Sequence, residues 1–271
     1  MAHQRAGLRS LSPSGEAEGA RLLPLIDHLR RSAKAGAGFQ IFGINWLRPW
    51  VSYLLGPALR RVLDPRTIGF RDFQVRSSEA DLYTFANLFE DYDRELLERS
   101  LPGVQTVIDG GANVGAFSLF ALKLATRAGA RIRITAVEPH PGNFAFLSRQ
   151  PFAGALNLVQ AAVGPATGRA DLVVGINSAT HSVNFEGDTG TVPVVTLREL
   201  CSGPTFLKLD VEGSEWQILQ GELPREVIAM FLEWHVAVGR PADPRELVPG
   251  GTWTLKSRDP YGNSTWSWTR N

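Results

Sequence analysis

The chain has 271 residues, 44% of them hydrophobic, and its 28 basic and 27 acidic residues leave a formal charge of +1. This length can bury one full-sized core and an accessory segment, and the absence of a long Lys/Arg block argues against a nucleic-acid partner. The single cysteine, Cys201, excludes an intramolecular disulfide and a cysteine-clustered zinc site. No apolar stretch reaches the roughly 18 residues needed to span a bilayer, and no signal-peptide pattern opens the sequence. We therefore expect a cytoplasmic protein without a transmembrane segment.

The first hundred residues divide into two segments. Residues 1–20 are rich in Ser, Gly, Ala, Arg and Glu without an apolar period, which predicts a flexible tail. Residues 21–100 contain apolar residues at helical spacing, among them Trp46 and Trp50, and a further helical stretch at 81–97. We interpret this part as helices that pack on the catalytic domain or cover its substrate mouth, with a membrane-surface role as the alternative.

Strand and helix patterns alternate over residues 101–271, which we assign to one Rossmann-like domain. A strand at 106–108, a glycine-rich turn, a helix and a strand at 132–137 form a predicted βαβ unit. Further strands are predicted at 156–163, 170–174, 205–209, 227–233, 252–256 and 264–269, with helices between them. This alternation predicts a mainly parallel sheet with helices on both faces, ending in an antiparallel hairpin joined by the turn at 259–263.

The glycine-rich turn carries the first chemical signal. Gly111 and Gly115 match the first and third glycines of a nucleotide-binding turn, whereas Asn113 replaces the middle one. Since the middle glycine lets backbone approach a pyrophosphate, Asn113 disfavours a nicotinamide cofactor. Asp109, at the end of the strand, suits a cation such as the α-amino group of a methionine. S-adenosylmethionine supplies that ammonium.

A second acid strengthens this interpretation. Glu138 ends the second strand, where a carboxylate can accept hydrogen bonds from both hydroxyls of a ribose. The glycine-rich turn alone could be structural, but the turn together with Asp109 and Glu138 favours ligand binding.

A cluster of acids follows the strand at 205–209. Asp210 and Glu212 come at its carboxyl end, where open α/β sheets bind ligands, and we expect them to bind substrate, accept a proton or hold a divalent cation. Glu215 is interpreted as a helix N-terminal charge. Strand alternation is expected to turn Lys208 away from Asp210, toward a covering helix or an ion pair.

The strand at 227–233 brings an imidazole to the same edge of the sheet. His235 is our first candidate for a general base, with a structural histidine beside the core as the alternative. Residues 177–184 either line an acceptor pocket or form an ordinary polar surface loop.

Four motifs, at 109–115, 138–139, 161–164 and 207–215, together resemble the FkbM family of methyltransferases. The resemblance implies a class I methyltransferase fold with a seven-stranded sheet, S-adenosylmethionine as donor, and an oxygen acceptor on a natural product, a sugar or a lipid-like molecule. Gly110 and the pair at 150–151 depart from the usual family pattern. The cofactor-binding set that the resemblance implies is Asp109, Gly110, Gly111, Ala112, Asn113, Gly115, Glu138, Pro139, Ala162 and Asp210. Within it, the turn would surround the methionyl part, Glu138 the ribose, Ala162 the adenine edge, and Asp210 the sulfonium.

The resulting hypothesis is an S-adenosylmethionine-dependent O-methyltransferase acting on a small-molecule hydroxyl. His235, Asp210 and Glu212 are the predicted catalytic residues. No metal ligand is assigned, and a divalent metal and a homodimer are left open. The alternatives are a nicotinamide-dependent oxidoreductase, which the glycine-rich turn resembles, and a non-catalytic interaction protein that retains the cofactor fold.

Overall fold

The computed structural model describes residues 67–69, 72–76, 81, 92–175, 180–185, 190–237 and 239–271. The predicted tail at 1–20 and the predicted Trp-rich helices lie outside the described residues, as does most of the predicted helix at 81–97. Its last four residues belong to a described helix that begins at Arg94.

Thirteen strands and five α-helices are described. The strands are β1 (Thr67–Gly69), β2 (Gln74–Arg76), β3 (Thr106–Gly110), β4 (Arg133–Val137), β5 (Asn157–Val159), β6 (Ala162–Val163), β7 (Gly168–Val173), β8 (Ser182–Asn184), β9 (Val192–Val195), β10 (Thr205–Leu209), β11 (Val227–Trp234), β12 (Thr252–Arg258) and β13 (Ser264–Thr269). The α-helices are α1 (Arg94–Ser100), α2 (Ala116–Ala128), α3 (Pro141–Leu147), α4 (Leu197–Leu200) and α5 (Glu215–Leu219). Short 3₁₀ helices occupy Leu101–Gly103, Ala153–Ala155 and Pro244–Glu246.

The central sheet has the spatial order β12-β13-β11-β10-β3-β4-β5. Strands β5, β4, β3, β10 and β11 are mutually parallel, and β13 runs antiparallel to its neighbours β11 and β12. The prediction of a mainly parallel α/β sheet is confirmed, and the predicted closing hairpin is present. The β3 and β10 strands are buried at every residue, as expected for central parallel strands covered on both faces.

Two apolar clusters cover the two faces of the sheet. One contains Phe117 and Phe120 of α2, packed against Phe206 and Phe231 of the sheet. The other lies under α5 and the closing hairpin and contains Trp234, among other buried aromatic and aliphatic side chains. Together they hold the strands in register, so the carboxyl ends of the parallel strands meet at one edge.

A second sheet corrects two of our expectations. The single strand predicted at 156–163 is wrong, because β5 joins the central sheet and β6 joins a four-stranded sheet of order β6-β9-β7-β8. The expectation that helices fill the gaps around residues 170–174 is wrong in part. The described residues of these gaps form β8 and β9, and the helix α4 comes only just before β10. Pro193 lies inside β9. Because proline rarely occurs within a strand, the sequence of this segment did not indicate one.

The segment before β3 packs on the same core as the sheet. Phe73 and Val75 of β2 and Leu97 of α1 are buried in the cluster around α2. The Gln150 side chain accepts from the backbone N of Gln74 at 2.9 Å and donates to its carbonyl at 2.9 Å. No helix within the described ranges is long and apolar enough to cross a membrane.

Candidate functional site

The glycine-rich turn after β3 packs directly against the end of β10. Gly111, Asn113 and Gly115 adopt left-handed φ values of +74°, +50° and +88°. A Cβ on Gly111 would lie 1.8 Å from the Asp210 carbonyl oxygen, so only glycine fits there. Asn113 holds a conformation that non-glycine residues seldom adopt, a feature that often accompanies binding sites.

Glu138, at the end of β4, is the acid that holds this turn. Its Oε2 accepts from the Asn113 backbone N at 2.8 Å, and its Oε1 accepts from the His140 backbone N at 2.9 Å. Burial raises the pKa of Glu138 to about 7, although these hydrogen bonds oppose the rise. Oε1 also accepts from Asn143 Nδ2 at 3.5 Å, a long contact that a ribose hydroxyl can replace, and Oε2 keeps a second lone pair, so Glu138 can still accept a ribose diol.

Asp109 is placed differently from our expectation of a ligand-facing acid. Its carboxylate is fully buried, with Oδ2 accepting from Ser118 Oγ at 2.6 Å and Oδ1 lying 3.4 Å from Lys208 Nζ. The cation that it meets in the structure is therefore Lys208.

Lys208 joins the two strand ends. It is in register with Asp109 on the neighbouring strand, and its Nζ lies 3.4 Å from Asp210 Oδ2. The expectation that alternation would turn Lys208 away from Asp210 is wrong, because residues two apart on a strand share a face. The expectation of an ion pair is confirmed. Its ammonium also donates to the Gly111 carbonyl oxygen at 2.7 Å, which fixes the turn.

The charge of Lys208 is secured by its neighbours. Burial alone would lower its pKa, but the carboxylates of Asp210, Asp109 and Glu233 raise it above the usual value. Lys208 therefore favours its protonated form beneath the glycine-rich turn, and it joins the site although it was not among the predicted site residues.

The loop after β10 is organised by Glu215. Its buried Oε1 accepts from the backbone N of Val211 at 3.0 Å and of Gly213 at 3.1 Å. Glu215 lies in the first turn of α5, but its carboxylate is directed at the preceding loop. Glu212, within that loop, adopts a left-handed φ of +56°. The loop therefore presents Asp210 and Glu212 in a fixed conformation.

His235 lies among carboxylates, as the meeting of strand ends predicted. Its Nδ1 is 3.0 Å from Glu215 Oε1, and its Nε2 is 3.5 Å from Glu212 Oε2 and 3.8 Å from Glu233 Oε1. Burial would lower the pKa of His235, but Glu215, Asp210 and Glu212 raise it to about 10. An imidazolium has no free lone pair, so this environment opposes the role of general base at neutral pH.

Glu212 has the opposite character. Burial raises the pKa of its carboxyl and the nearby Asp210 adds to the rise, while His235 works against it. With a pKa of about 8, Glu212 is a stronger base than an ordinary carboxylate in the fraction of molecules in which it is ionised, and that fraction is larger at every pH than the neutral fraction of His235. Glu212 therefore fits proton acceptance better than His235 does.

Three side chains at this edge have the spacing of a cation site. Ligand atoms of Asp210, Glu233 and His235 all lie within 4.8 Å of one another. A divalent ion there would compete with the Lys208 ammonium beside Asp210 and with the proton on His235. Carboxylate and imidazole ligands suit such an ion.

The other predicted site residues have these positions. Gly110 and Ala112 flank Gly111 in the turn, and Pro139 follows Glu138. Ala162 lies in β6, and its side chain packs in the core of the small sheet with Ala170 and Val194. That packing leaves only its backbone for an adenine edge.

Two residues that we had not predicted also border the site. Tyr92 donates from its hydroxyl to Asp210 Oδ2 at 3.4 Å, and Ser118 holds Asp109. Ser118 sits in the first turn of α2, a position that could have suggested the contact with the end of β3. Tyr92 lies outside the βαβ pattern, and nothing in the sequence around it indicates a contact with Asp210.

Comparison with known proteins bears on the same region. The family model described as "Methyltransferase FkbM domain" matches residues 109–240. No curated protein matches the chain. Among solved structures, methyltransferase FkbM from Methylobacillus flagellatus KT is similar at 17% identity and a TM-score of 0.40, with 69% of this chain and 53% of that chain covered. The chain thus spans about half of that protein. The N-terminal domain of human METTL16 in complex with SAH is similar at 12% identity and a TM-score of 0.39, with 82% of each chain covered.

Proposed function

We propose that the chain transfers a methyl group from S-adenosylmethionine to a hydroxyl of a small molecule, and the match of residues 109–240 to the methyltransferase FkbM domain supports this proposal. The observation that carries the proposal is the meeting of Glu138, the left-handed turn and the acids of β10 and β11 at one edge of the sheet. Ligands of open α/β sheets bind at this edge.

The residues at this edge fit the chemistry of the cofactor. Glu138 retains acceptor capacity for a ribose diol, and Asp210, whose side chain is 19% exposed, offers a carboxylate to the sulfonium and ammonium end. Asp109 acts indirectly in this proposal, because it holds Lys208, which in turn holds the Gly111 carbonyl. When bound, S-adenosylmethionine supplies a methyl group on a positively charged sulfur.

The chain's own part is to position the acceptor hydroxyl and to take its proton. We assign proton acceptance to Glu212, with Asp210 as the neighbouring carboxylate. His235 is assigned a positioning role, since its imidazolium lies between Glu215 and Glu212 and can hold the loop that carries Glu212.

The charges at the carboxyl edge of the sheet limit which compounds can serve as the methyl acceptor. The carboxylates Asp109, Asp210, Glu212, Glu215 and Glu233 outnumber the cations Lys208, His235 and Arg240, which leaves this edge negative. A phosphate or carboxylate beside the acceptor hydroxyl would be repelled. Neutral hydroxyl compounds and those with an amino group are therefore the preferred candidates.

Calorimetry with S-adenosylmethionine, S-adenosylhomocysteine and NAD tests the cofactor. We expect micromolar or tighter binding of the first two and none of NAD, since the nucleoside contacts do not require a pyrophosphate. Tight binding of NAD alone would replace the proposal with a nicotinamide-dependent oxidoreductase.

Turnover is tested by transfer of a labelled methyl group to a panel of neutral, amino-bearing and anionic hydroxyl compounds. We expect product from the first two groups, and a loss of at least about 100-fold in kcat for Glu212→Gln with cofactor binding retained. Repeating the assay with EDTA and with added Mg²⁺ determines whether the Asp210, Glu233 and His235 site takes part. Cofactor binding without transfer to any acceptor would favour a non-catalytic interaction protein.

A further inference from the structure

One segment of the small sheet contacts residues that follow both β4 and β10. We call residues 180–185, which contain the edge strand β8, the strap. Its His181 ring stacks on His140, with ring centroids 3.9 Å apart and planes inclined by 23°. Its Val183 carbonyl oxygen accepts from Ser214 Oγ at 3.2 Å. One part of the strap is thus attached after β4 and another after β10.

The two attachments of the strap determine which strand end it passes over. In the central sheet β3 lies between β4 and β10, so a segment that joins their carboxyl ends passes over the end of β3. Neighbouring strands are about 4.8 Å apart, and a span of about 10 Å is within reach of two extended residues and their side chains. The glycine-rich turn, which begins at Gly111, therefore lies beneath the strap.

The stacked imidazoles lie at the Glu138 end of the crevice. His140 is two residues after Glu138, and its backbone N donates to Glu138 Oε1. Its ring is held by Nδ1, which accepts from the Asn143 backbone N at 3.2 Å. The His181 ring is held in the same way, because its Nδ1 accepts from the Gly175 backbone N at 3.0 Å. Both rings are partly exposed and fixed in orientation.

We propose that His181, stacked on His140, forms the wall of the cofactor crevice at its nucleoside end and positions the adenosine of the methyl donor. The inference rests on the proposed function, because it takes Glu138 as the group that holds the ribose. A fixed aromatic pair beside the ribose acid offers a flat surface to a purine. The strap thus gives the small sheet a role in binding, through its edge strand.

Three substitutions at one position separate the ring from its hydrogen bond. His181→Ala removes both, His181→Asn keeps an acceptor for the Gly175 backbone N, and His181→Phe keeps the ring. We expect the Kd for S-adenosylhomocysteine to rise about tenfold in the Ala and Asn variants and to stay within about threefold in the Phe variant. Tyr261→Ala, at an 85% exposed side chain on the closing hairpin, is the matched control and should bind normally.

A second probe tests the nucleoside end specifically. Free adenosine lacks the methionyl part, so its Kd should rise by the same factor as that of S-adenosylhomocysteine in His181→Ala and His181→Asn. In turnover, the KM for S-adenosylmethionine should rise by that factor with kcat almost unchanged. A residue needed only for folding would instead lower kcat and the melting temperature together.

The outcomes are distinguishable. If the unaltered chain binds S-adenosylhomocysteine and all three His181 variants bind it as tightly as the unaltered chain does, the proposed role of His181 is refuted and the methyltransferase proposal stands. Retained binding in the Asn variant with loss in the Phe variant would also refute it, because the hydrogen bond would then be the required feature. If the unaltered chain binds neither S-adenosylhomocysteine nor adenosine, both proposals fall.

Discussion

Lys208 and Asp109 form a buried ion pair that joins the carboxyl ends of β10 and β3, with Nζ 3.4 Å from Oδ1. The side chains are 4% and 0% exposed, so neither charge is solvated by bulk water. Because the ammonium also donates to the Gly111 carbonyl oxygen, the pair and the turn form one unit. A positive charge in the floor of the crevice thus offsets part of the surrounding negative charge.

Removing that ammonium should destabilise the fold strongly. Lys208→Met leaves the Asp109 carboxylate buried beside an apolar side chain, which typically costs about 3–5 kcal/mol. Urea unfolding at pH 7 measures the loss. Lys123→Met is the matched control, since Lys123 pairs with Asp72 where both side chains are about one-third exposed, and should cost less than about 1 kcal/mol.

The double variant Lys208→Met/Asp109→Asn should recover part of the stability, because it removes the buried charge as well as its partner. Equal losses in Lys208→Met and Lys123→Met would contradict the interpretation of a buried, mutually dependent pair.

The close approach at Gly111 predicts a second contrast. Gly111→Ala places a methyl group 1.8 Å from the Asp210 carbonyl oxygen, so the turn must move away from β10. Gly129, at the end of α2, has a similar φ of +65° but no atom within 4 Å of an added Cβ. Gly129→Ala should therefore cost only about 1 kcal/mol for the left-handed backbone.

We expect Gly111→Ala to cost at least about 2 kcal/mol more than Gly129→Ala and to weaken cofactor binding as well. Thermal unfolding and calorimetry measure the two effects. Equal stability of the two variants would show that the turn and β10 separate easily.

The sequence was sufficient to predict the layout of the site but not its charge states. The strands and their shared carboxyl edge follow from apolar runs that end in acids, and Asp210 and His235 lie close to each other at that edge. The charge of His235 depends on how many carboxylates surround it in space, and these come from two different strand ends. The spacing of residues along the sequence does not show how many carboxylates surround His235.

Other misses have local physical causes. Strand alternation led us to expect that Lys208 turns away from Asp210, toward a covering helix or an ion pair, whereas its register opposite Asp109 decides its contacts. The small sheet escaped prediction because β6 is two residues long and Pro193 interrupts the pattern of β9. Its function as support for the strap depends on contacts between residues more than 30 positions apart, such as His140 with His181 and Val183 with Ser214.

The raised pKa of Glu138 predicts that cofactor affinity depends on pH. The carboxylate, which accepts hydrogen bonds from both ribose hydroxyls, is the binding form, and a pKa of about 7 means that it is mostly protonated at pH 6. The Kd for S-adenosylhomocysteine should be constant above about pH 8 and rise as pH falls through 7, approaching at most about tenfold per unit. Calorimetry between about pH 5.5 and 8.5, roughly 1.5 units on either side of the pKa of Glu138, measures this change in Kd.

Glu138→Gln should bind weakly at every pH, because its amide NH₂ would face a backbone N–H donor, and should lose the pH dependence. Glu212→Gln removes another carboxyl of raised pKa from the crevice and should keep the dependence below pH 7. If the Glu138 variant titrates like the unaltered chain, a different group governs binding.

The raised pKa of His235 predicts a stability change in the opposite pH range. For a histidine whose pKa is higher in the folded state, the stabilisation is fully present below the ordinary value near 6.5 and is lost as pH rises through about 10. Urea midpoints of the unaltered chain should therefore fall between about pH 7 and 10, whereas those of His235→Ala should fall less. The two chains should approach each other in stability at the alkaline end, because a neutral imidazole no longer offsets Glu215 and Glu212. Nitrogen NMR shifts of the His235 ring give the direct measurement, with both nitrogens expected to remain protonated through pH 8. A ring that titrates near its ordinary value would restore His235 as a candidate base and remove Glu212 from that role.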